Sequence, residues 1–490
     1  MLQVSFNYKK FLYNNKWFYL FKIILFCFTS SILLSCGKPK NYDFVPIAFK
    51  LSLPTFIKIN TPEEISFSSK ENYDENEFGL ITATKLSNFA QNWSTNKTVQ
   101  GKLVIFQIQS GNALNRFIPT SPAKDVYVYL LPIPSGDSIV QQTRNNGISS
   151  TESVVVDGST IDTFLSLYGI NSSRDLVVLS MDTSSSTNLQ YCLRLYYTLR
   201  YWGFDKKNIA VLNGSIEQFV NSGELFTTTT RNTQIKQEFS SIKNLFVDNT
   251  SLQATLGDVI HILFNGNTRF EKVYPIPAAG VRFLDARSTN EFTPPNTNGQ
   301  TNAPTGKTCQ AGSNCKAPID GRLKGAIHLE WSNLLENPNS GDFRFKSKAT
   351  LKTIFQNAGL GGIGYIIPYS RIGFRATVPL FTSIAILGFP ARLYDGSWIE
   401  FSSLASDQNG IYSNLLTSSP WRTDRATLVD SLTYTTATGV IPTFSYPTTS
   451  QFSTNSNKII DDDKSYIRGV SSSSGSTGGA TGGGGNACGG

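Results

Sequence analysis

Histidine is scarce in this 490-residue sequence, which holds only His261 and His328. That leaves little material for a metal site, and any serine or cysteine nucleophile has only these two imidazoles as partners. Cysteine is sparse as well, with six. Charged residues make up 16% and apolar residues 40%, which excludes a disordered chain and fits a globular one with room for two or three domains. The formal charge is +8, but four of the 43 basic residues lie before residue 36, where no acidic residue or arginine occurs. The remaining 39 stand against 35 acidic residues and are scattered, so no nucleic-acid footprint is expected.

The four early lysines, Lys9, Lys10, Lys16 and Lys22, precede an apolar run, Ile23 to Leu34, too short for a comfortable membrane span. It ends in Leu33-Leu34-Ser35-Cys36-Gly37, which resembles the bacterial lipobox, in which the cysteine is acylated and becomes the first mature residue. Residues 1–35 are therefore read as a signal peptide, against an uncleaved anchor helix, and 36–77 as an extended tether. The resemblance implies a protein in the cell envelope, lipid-anchored through Cys36 to a bacterial membrane outside the cytoplasm. In an oxidising compartment Cys309 and Cys315, in a polar insertion, are expected to form a local disulfide. Cys192 falls on the apolar face of a predicted helix. No metal and no cofactor are expected.

The most informative stretch runs from Tyr365 to Phe401. Tyr365-Ile366-Ile367 reads as a buried strand, followed by the loop Ser370-Arg371-Ile372-Gly373-Phe374-Arg375. Ala376 to Leu387 has helical length, with Pro379 in its first turn and Gly388 at its end. A strand, a tight loop and a helix start aim several N–H groups at one small bowl, and Arg371 and Arg375 add full charges. An ordinary strand-to-helix turn is the alternative, with both arginines paired to Asp285 or Glu400.

Those residues resemble the active-site segment of the rhodanese (thiosulfate sulfurtransferase) family, in which a strand ends in Tyr-Cys-x-x-Gly-x-Arg-Ala and the next in Tyr-Asp-Gly-Ser-Trp-x-Glu-Trp. Tyr369 to Ala376 follows the first pattern and Tyr394 to Phe401 the second. The resemblance implies that the family's catalytic cysteine falls on Ser370, that residues 371–375 form the anion-binding loop, and that Asp285, Arg287, Asp395 and Trp398 support it. Arg174 to Ser215 repeats the architecture more weakly: Gly203-Phe204 answers Gly388-Phe389, and Leu212-Asn213-Gly214-Ser215 answers Tyr394-Asp395-Gly396-Ser397. Asp182 stands where Ser370 does. The fold implied is α/β, two tandem rhodanese-like domains, each a mostly parallel sheet flanked by helices. The expected boundaries are 78–217 for a non-catalytic copy, 218–251 for a linker, 252–403 for the copy with the loop, 404–470 for an extension and 471–490 for a Ser/Gly tail. Val259 to Phe264 is read as the opening strand of the second copy.

The family's chemistry needs a low-pKa thiolate that holds sulfur as a persulfide. A serine needs a general base instead, and both histidines are read as structural. Two functions follow: a sulfurtransferase-like protein whose sulfur transfer is lost or altered, or a non-enzymatic module that binds a small oxyanion, a sulfur-containing substrate or a protein. A dual-specificity phosphatase is disfavoured, because that chemistry needs Cys-x5-Arg and only four residues separate Ser370 from Arg375.

Overall fold

The computed structural model describes residues 56–469, apart from 135–137, 265–276, 294–313, 406–414, most of 435–449 and a few single positions. The signal segment, Cys36, Cys309 and the Ser/Gly tail lie outside the described residues, and of Cys315 only the backbone is described. From Phe56 onward the described residues pack as one unit.

The first copy is a five-stranded sheet built from β1 (Gly79–Ile81), β2 (Leu103–Gln109), β3 (Val126–Pro132), β4 (Leu176–Met181) and β5 (Ile209–Ser215). The order across it is β1-β5-β4-β2-β3, and every pairing is parallel. These strands are mostly apolar because both faces are covered. Thr82 caps α1 (Ala83–Asn92), its side chain accepting the Lys85 N–H. The helix α2 (Ser186–Tyr201) follows β4, and α3 (Ile216–Asn221) follows β5.

The second copy repeats this wiring with shorter strands: β6 (Gln253–Ala254), β7 (Val281–Asp285), β8 (Ile327–His328), β9 (Tyr365–Tyr369) and β10 (Leu393–Tyr394). Parallel pairings join β6 to β10, β9 to β7 and β7 to β8, and a parallel bridge from Ile366 to Ala391 links β9 to the β10 segment. The order β6-β10-β9-β7-β8 is that of the first sheet, so the fold is α/β with two tandem, mostly parallel copies. Ser370 leaves β9 where Asp182 leaves β4.

One element differs from expectation. Residues Leu256–Leu263 form a helix, α4, and not a strand. Thr255 and Asp258 close a capping box, each side chain accepting the other's N–H at 3.1 Å. A short apolar run cannot separate helix from strand by pattern, and the cap decides it. His261 is therefore a buried helix residue. Before the loop strand comes α5 (Lys348–Asn357), its Ser347 side chain accepting the Thr350 N–H. After the loop, α6 (Thr377–Phe381) runs into a π-helical turn, Thr382–Ile386. Thr382 and Ser383 return their hydroxyls to the carbonyls of Val378 and Pro379, four residues back, as often happens where a helix is distorted. The motif Asp395-Gly396 leads into α7 (Ser397–Ser403).

The two copies share a core. Almost every residue of α2 from Asn188 onward is buried, on all sides of the helix. Its own sheet covers one face and α6 another, with Tyr196 edge-on to Phe381 at 4.8 Å. The extension also packs back. Trp421 is fully buried with its indole N–H on the Ser453 carbonyl, and Val429–Tyr434 pairs antiparallel with Ile319–Leu323. The helix α8 (Lys458–Ile467) lies on the first copy, where Asp463 takes a two-pronged ion pair from Arg144 and the hydroxyl of Tyr201. Among the described residues no helix is long and apolar enough to cross a membrane.

Candidate functional site

The loop leaves β9 and turns directly into α6, with the N–H of Thr377 on the carbonyl of Phe374 and that of Val378 on Arg375. Across from it, α7 fixes the loop's first two carbonyls: Trp398 N–H donates to Ser370 and Ile399 N–H to Arg371, both at 2.9 Å. In a trans peptide the C=O of one residue and the N–H of the next point opposite ways. The amides of Arg371 and Ile372 therefore face away from α7. Among the described residues, none of the N–H groups from Arg371 to Ala376 has an acceptor.

Ser370 begins this run. It is 1% exposed, and its Oγ has no hydrogen-bond partner. Burying a hydroxyl without a partner costs about 1–3 kcal/mol, so the position needs an explanation other than stability. Its own N–H donates to Ser397 Oγ at 3.2 Å, and Ser397 donates in turn to the Tyr394 carbonyl at 2.9 Å. Ser397 holds a left-handed backbone, φ 53°, which is costly for a residue with a Cβ. It belongs beside the site, and its place in the Asp-Gly-Ser-Trp motif was the available signal.

The two loop arginines part company. Arg375 forms a fork with Glu291, at 2.5 and 2.7 Å. Burial opposes charge on Glu291, yet Arg375 and Arg287 hold its carboxyl down at about 2. The Arg371 guanidinium makes no hydrogen bond or ion pair with any described residue. It is largely buried, which lowers its pKa against the pull of Glu291 and Asp320. Neither arginine pairs with Asp285 or Glu400, as the alternative reading had it. Asp285 is taken by Arg287, at 2.6 Å, and by the Tyr369 hydroxyl at 2.7 Å. Glu400 accepts from Asn146 at 2.7 Å. Glu291 takes Arg375 instead, while Glu400 meets Asn146 of the first copy.

The remaining residues wall the loop. Gly373 has φ 81°, and a Cβ there would lie 2.8 Å from the Asp395 carbonyl, so only glycine fits. Phe374 is buried and Ile372 half-buried. The Arg287 guanidinium sits 4.7 Å over the Trp398 ring, whose N–H donates to the Ile319 carbonyl. Asp395 is fully buried and ion-paired to Arg194 of α2. His328 bonds the Arg287 carbonyl and stacks on Phe292, so it forms no pair with the Ser370 hydroxyl. Among the described residues no cluster of His, Cys, Asp and Glu could hold a metal ion. In the first copy Asp182 is spoken for, accepting from Gln107 at 2.9 Å and from the Leu114 N–H at 2.7 Å.

Glu400 gives the region a pH dependence. Burial pushes its carboxyl up from 4.5 to about 7, against the Asn146 hydrogen bond. Between those values the folded chain holds a proton that the unfolded chain has lost, so stability falls as pH rises through the window. The contribution is fully present below the unfolded value and lost above the folded one, about 3 kcal/mol in all. Glu400→Gln is expected to flatten urea-midpoint stability between about pH 5 and pH 8. An unchanged slope in the variant would assign it to another group.

Known proteins resemble the chain as follows. It is 27% identical over 212 residues, 43% of this chain and 61% of the relative, to a Haloferax volcanii protein named "Putative thiosulfate sulfurtransferase". A Mycolicibacterium smegmatis protein of the same name is 38% identical over 85 residues, 17% of this chain and 29% of the relative. A thiosulfate sulfurtransferase of Corynebacterium glutamicum is 31% identical over 129 residues, 26% and 37% of the two chains. The chain thus matches less than two thirds of the length of these relatives. No family model matches. Among solved structures, the anaerobic ergothioneine biosynthesis enzyme from Chlorobium limicola aligns at TM-score 0.45 and 15% identity, over 68% of this chain and 69% of that one. The 3-mercaptopyruvate sulfotransferase SseA from Escherichia coli aligns at 0.44 and 15%, over 66% and 99%.

Fold and loop define a duplicated parallel α/β protein with a donor-rich turn at the end of one central strand. The curated matches carry the class further: the chain is similar to thiosulfate sulfurtransferases, which supports a rhodanese family for it.

Proposed function

We propose that this is a rhodanese-family protein in which Ser370 occupies the nucleophile position, so that persulfide chemistry is lost and the loop serves to hold a small oxyanion. The observation that carries this is the buried, unpartnered Ser370 hydroxyl at the head of six amides that have no acceptor among the described residues. A hydroxyl beside free N–H donors and the unpaired Arg371 suits an anion such as thiosulfate, sulfate or phosphate. The relatives' names favour a sulfur-containing one. A serine stores no sulfane sulfur and has no imidazole beside it to act as base.

The cell-envelope location belongs to the same proposal. It rests on the early lysines, the apolar run Ile23 to Leu34 and the motif Leu33 to Cys36, and radiolabelled palmitate incorporation that Cys36→Ala abolishes is the expected result.

With thiosulfate and cyanide, the full-length chain is expected to turn over at the background rate. Thiosulfate is expected to raise its melting temperature by a few degrees at about 100 times its Kd, the shift that mass action gives a ligand bound only to the folded state. Turnover well above background, or no anion-dependent shift, would each refute the reading.

A further inference from the structure

We propose that Arg194, on α2 of the first copy, is a positioning residue for the loop at Ser370: the first copy casts the shape of the second copy's cup. The inference rests on reading that loop as an oxyanion cup.

Arg194 is fully buried. Its Nε donates to the Val140 carbonyl at 2.9 Å and its Nη2 to the Ser153 carbonyl at 3.0 Å. Two anchors within the first copy thus fix the guanidinium plane. The third donor, Nη1, meets Asp395 Oδ1 of the second copy. The other oxygen of Asp395 accepts the Val155 N–H at 2.7 Å, so both contacts of that carboxylate come from the first copy. The loop is laid against this plate. At Gly373 a Cβ would stand 2.9 Å from Asp395 Oδ1 and 3.3 Å from Arg194 Nη1. The next ring, Phe374, lies 5.3 Å from the Arg194 guanidinium and meets Tyr191 of α2 edge-on at 5.8 Å.

Being buried, Arg194 touches no ligand, and paired with Asp395 it adds no net charge. What it controls is where the backbone at 373–374 sits, and donors aimed at a developing charge are effective only when held in place. A merely structural arginine would change stability and leave the cup's electrostatics alone. The Ser370→Cys chain separates the two roles, because its thiol pKa reports the field at that position.

The experiment measures the pH dependence of alkylation in the full-length Ser370→Cys chain, followed by mass spectrometry on the peptide containing position 370. That thiol is expected to titrate below the ordinary value of about 8.5. Adding Arg194→Lys keeps the charge and loses the planar fork. It is expected to raise the thiol pKa by about one unit and slow alkylation at neutral pH several-fold. Asp395→Asn, which keeps the side chain's size, is expected to do the same and stands in if the lysine variant does not fold. A folded variant whose thiol pKa is unchanged overturns the proposal while the cup reading survives. An ordinary pKa in Ser370→Cys alone ends the cup reading, and this proposal with it.

Discussion

On the proposed reading, Ser370→Cys is expected to give the protein a thiosulfate–cyanide activity well above that of the wild-type chain. The surroundings that a thiolate needs are in place. Arg371 is unpaired among the described residues, the following amides have no acceptor there, and Ser397 fixes the backbone of residue 370. The gain should be on the order of 100-fold over the wild-type background, the scale on which preorganised donors act. The variant should fold at least as well as the parent, because a thiol is a weak donor and loses less than a hydroxyl when buried without a partner. Steady-state assays with the folded state checked by circular dichroism decide it. A folded Ser370→Cys chain that binds thiosulfate and does not turn over would mean that the loop lacks the geometry for transfer.

The largest loss of stability is expected from Asp285→Ala. Asp285 and Arg287 are both buried, and the carboxylate binds the guanidinium through Nε at 2.9 Å and Nη2 at 2.6 Å. It also receives the Tyr369 hydroxyl, while Arg287 extends to the Gly321 carbonyl. Removing the carboxylate leaves a buried guanidinium without its ion-pair partner and a buried phenol without its acceptor. The cost should be about 3–5 kcal/mol, read as a lower urea midpoint at unchanged slope. Replacing both partners, as Asp285→Leu with Arg287→Met, should cost much less, because a buried pair contributes little beyond an apolar filling of similar size. A double variant as unstable as the single one would show that the network itself, and not the stranded charge, holds the region together.

The legible parts of this protein were those whose physics is local. Tyr365 to Tyr369 is a strand because five successive residues are buried on both faces of a parallel sheet, which reads as an apolar run. Thr82 and Gly388 mark a helix start and stop by their own chemistry. The repeat was visible because each copy spends the same residue types at the same turns, Gly203-Phe204 and Gly388-Phe389 among them. Where two local signals competed, as in Leu256 to Leu263, the capping box outweighed an apolar run that fits either element.

The sequence by itself determined the loop's length, its glycine at 373, its charges and the strand and helix on either side. These depend on residues a few positions apart. It could not determine which charges remain free. Arg375 and Arg371 look alike in sequence, yet the fold gives one an ion pair with Glu291 and leaves the guanidinium of the other without one among the described residues. Nor could it join Arg194 to Asp395, which lie 201 residues apart, or show why α2 is buried all round. Partners at that separation are chosen by the packing of two sheets against shared helices, and no spacing rule along the chain encodes it.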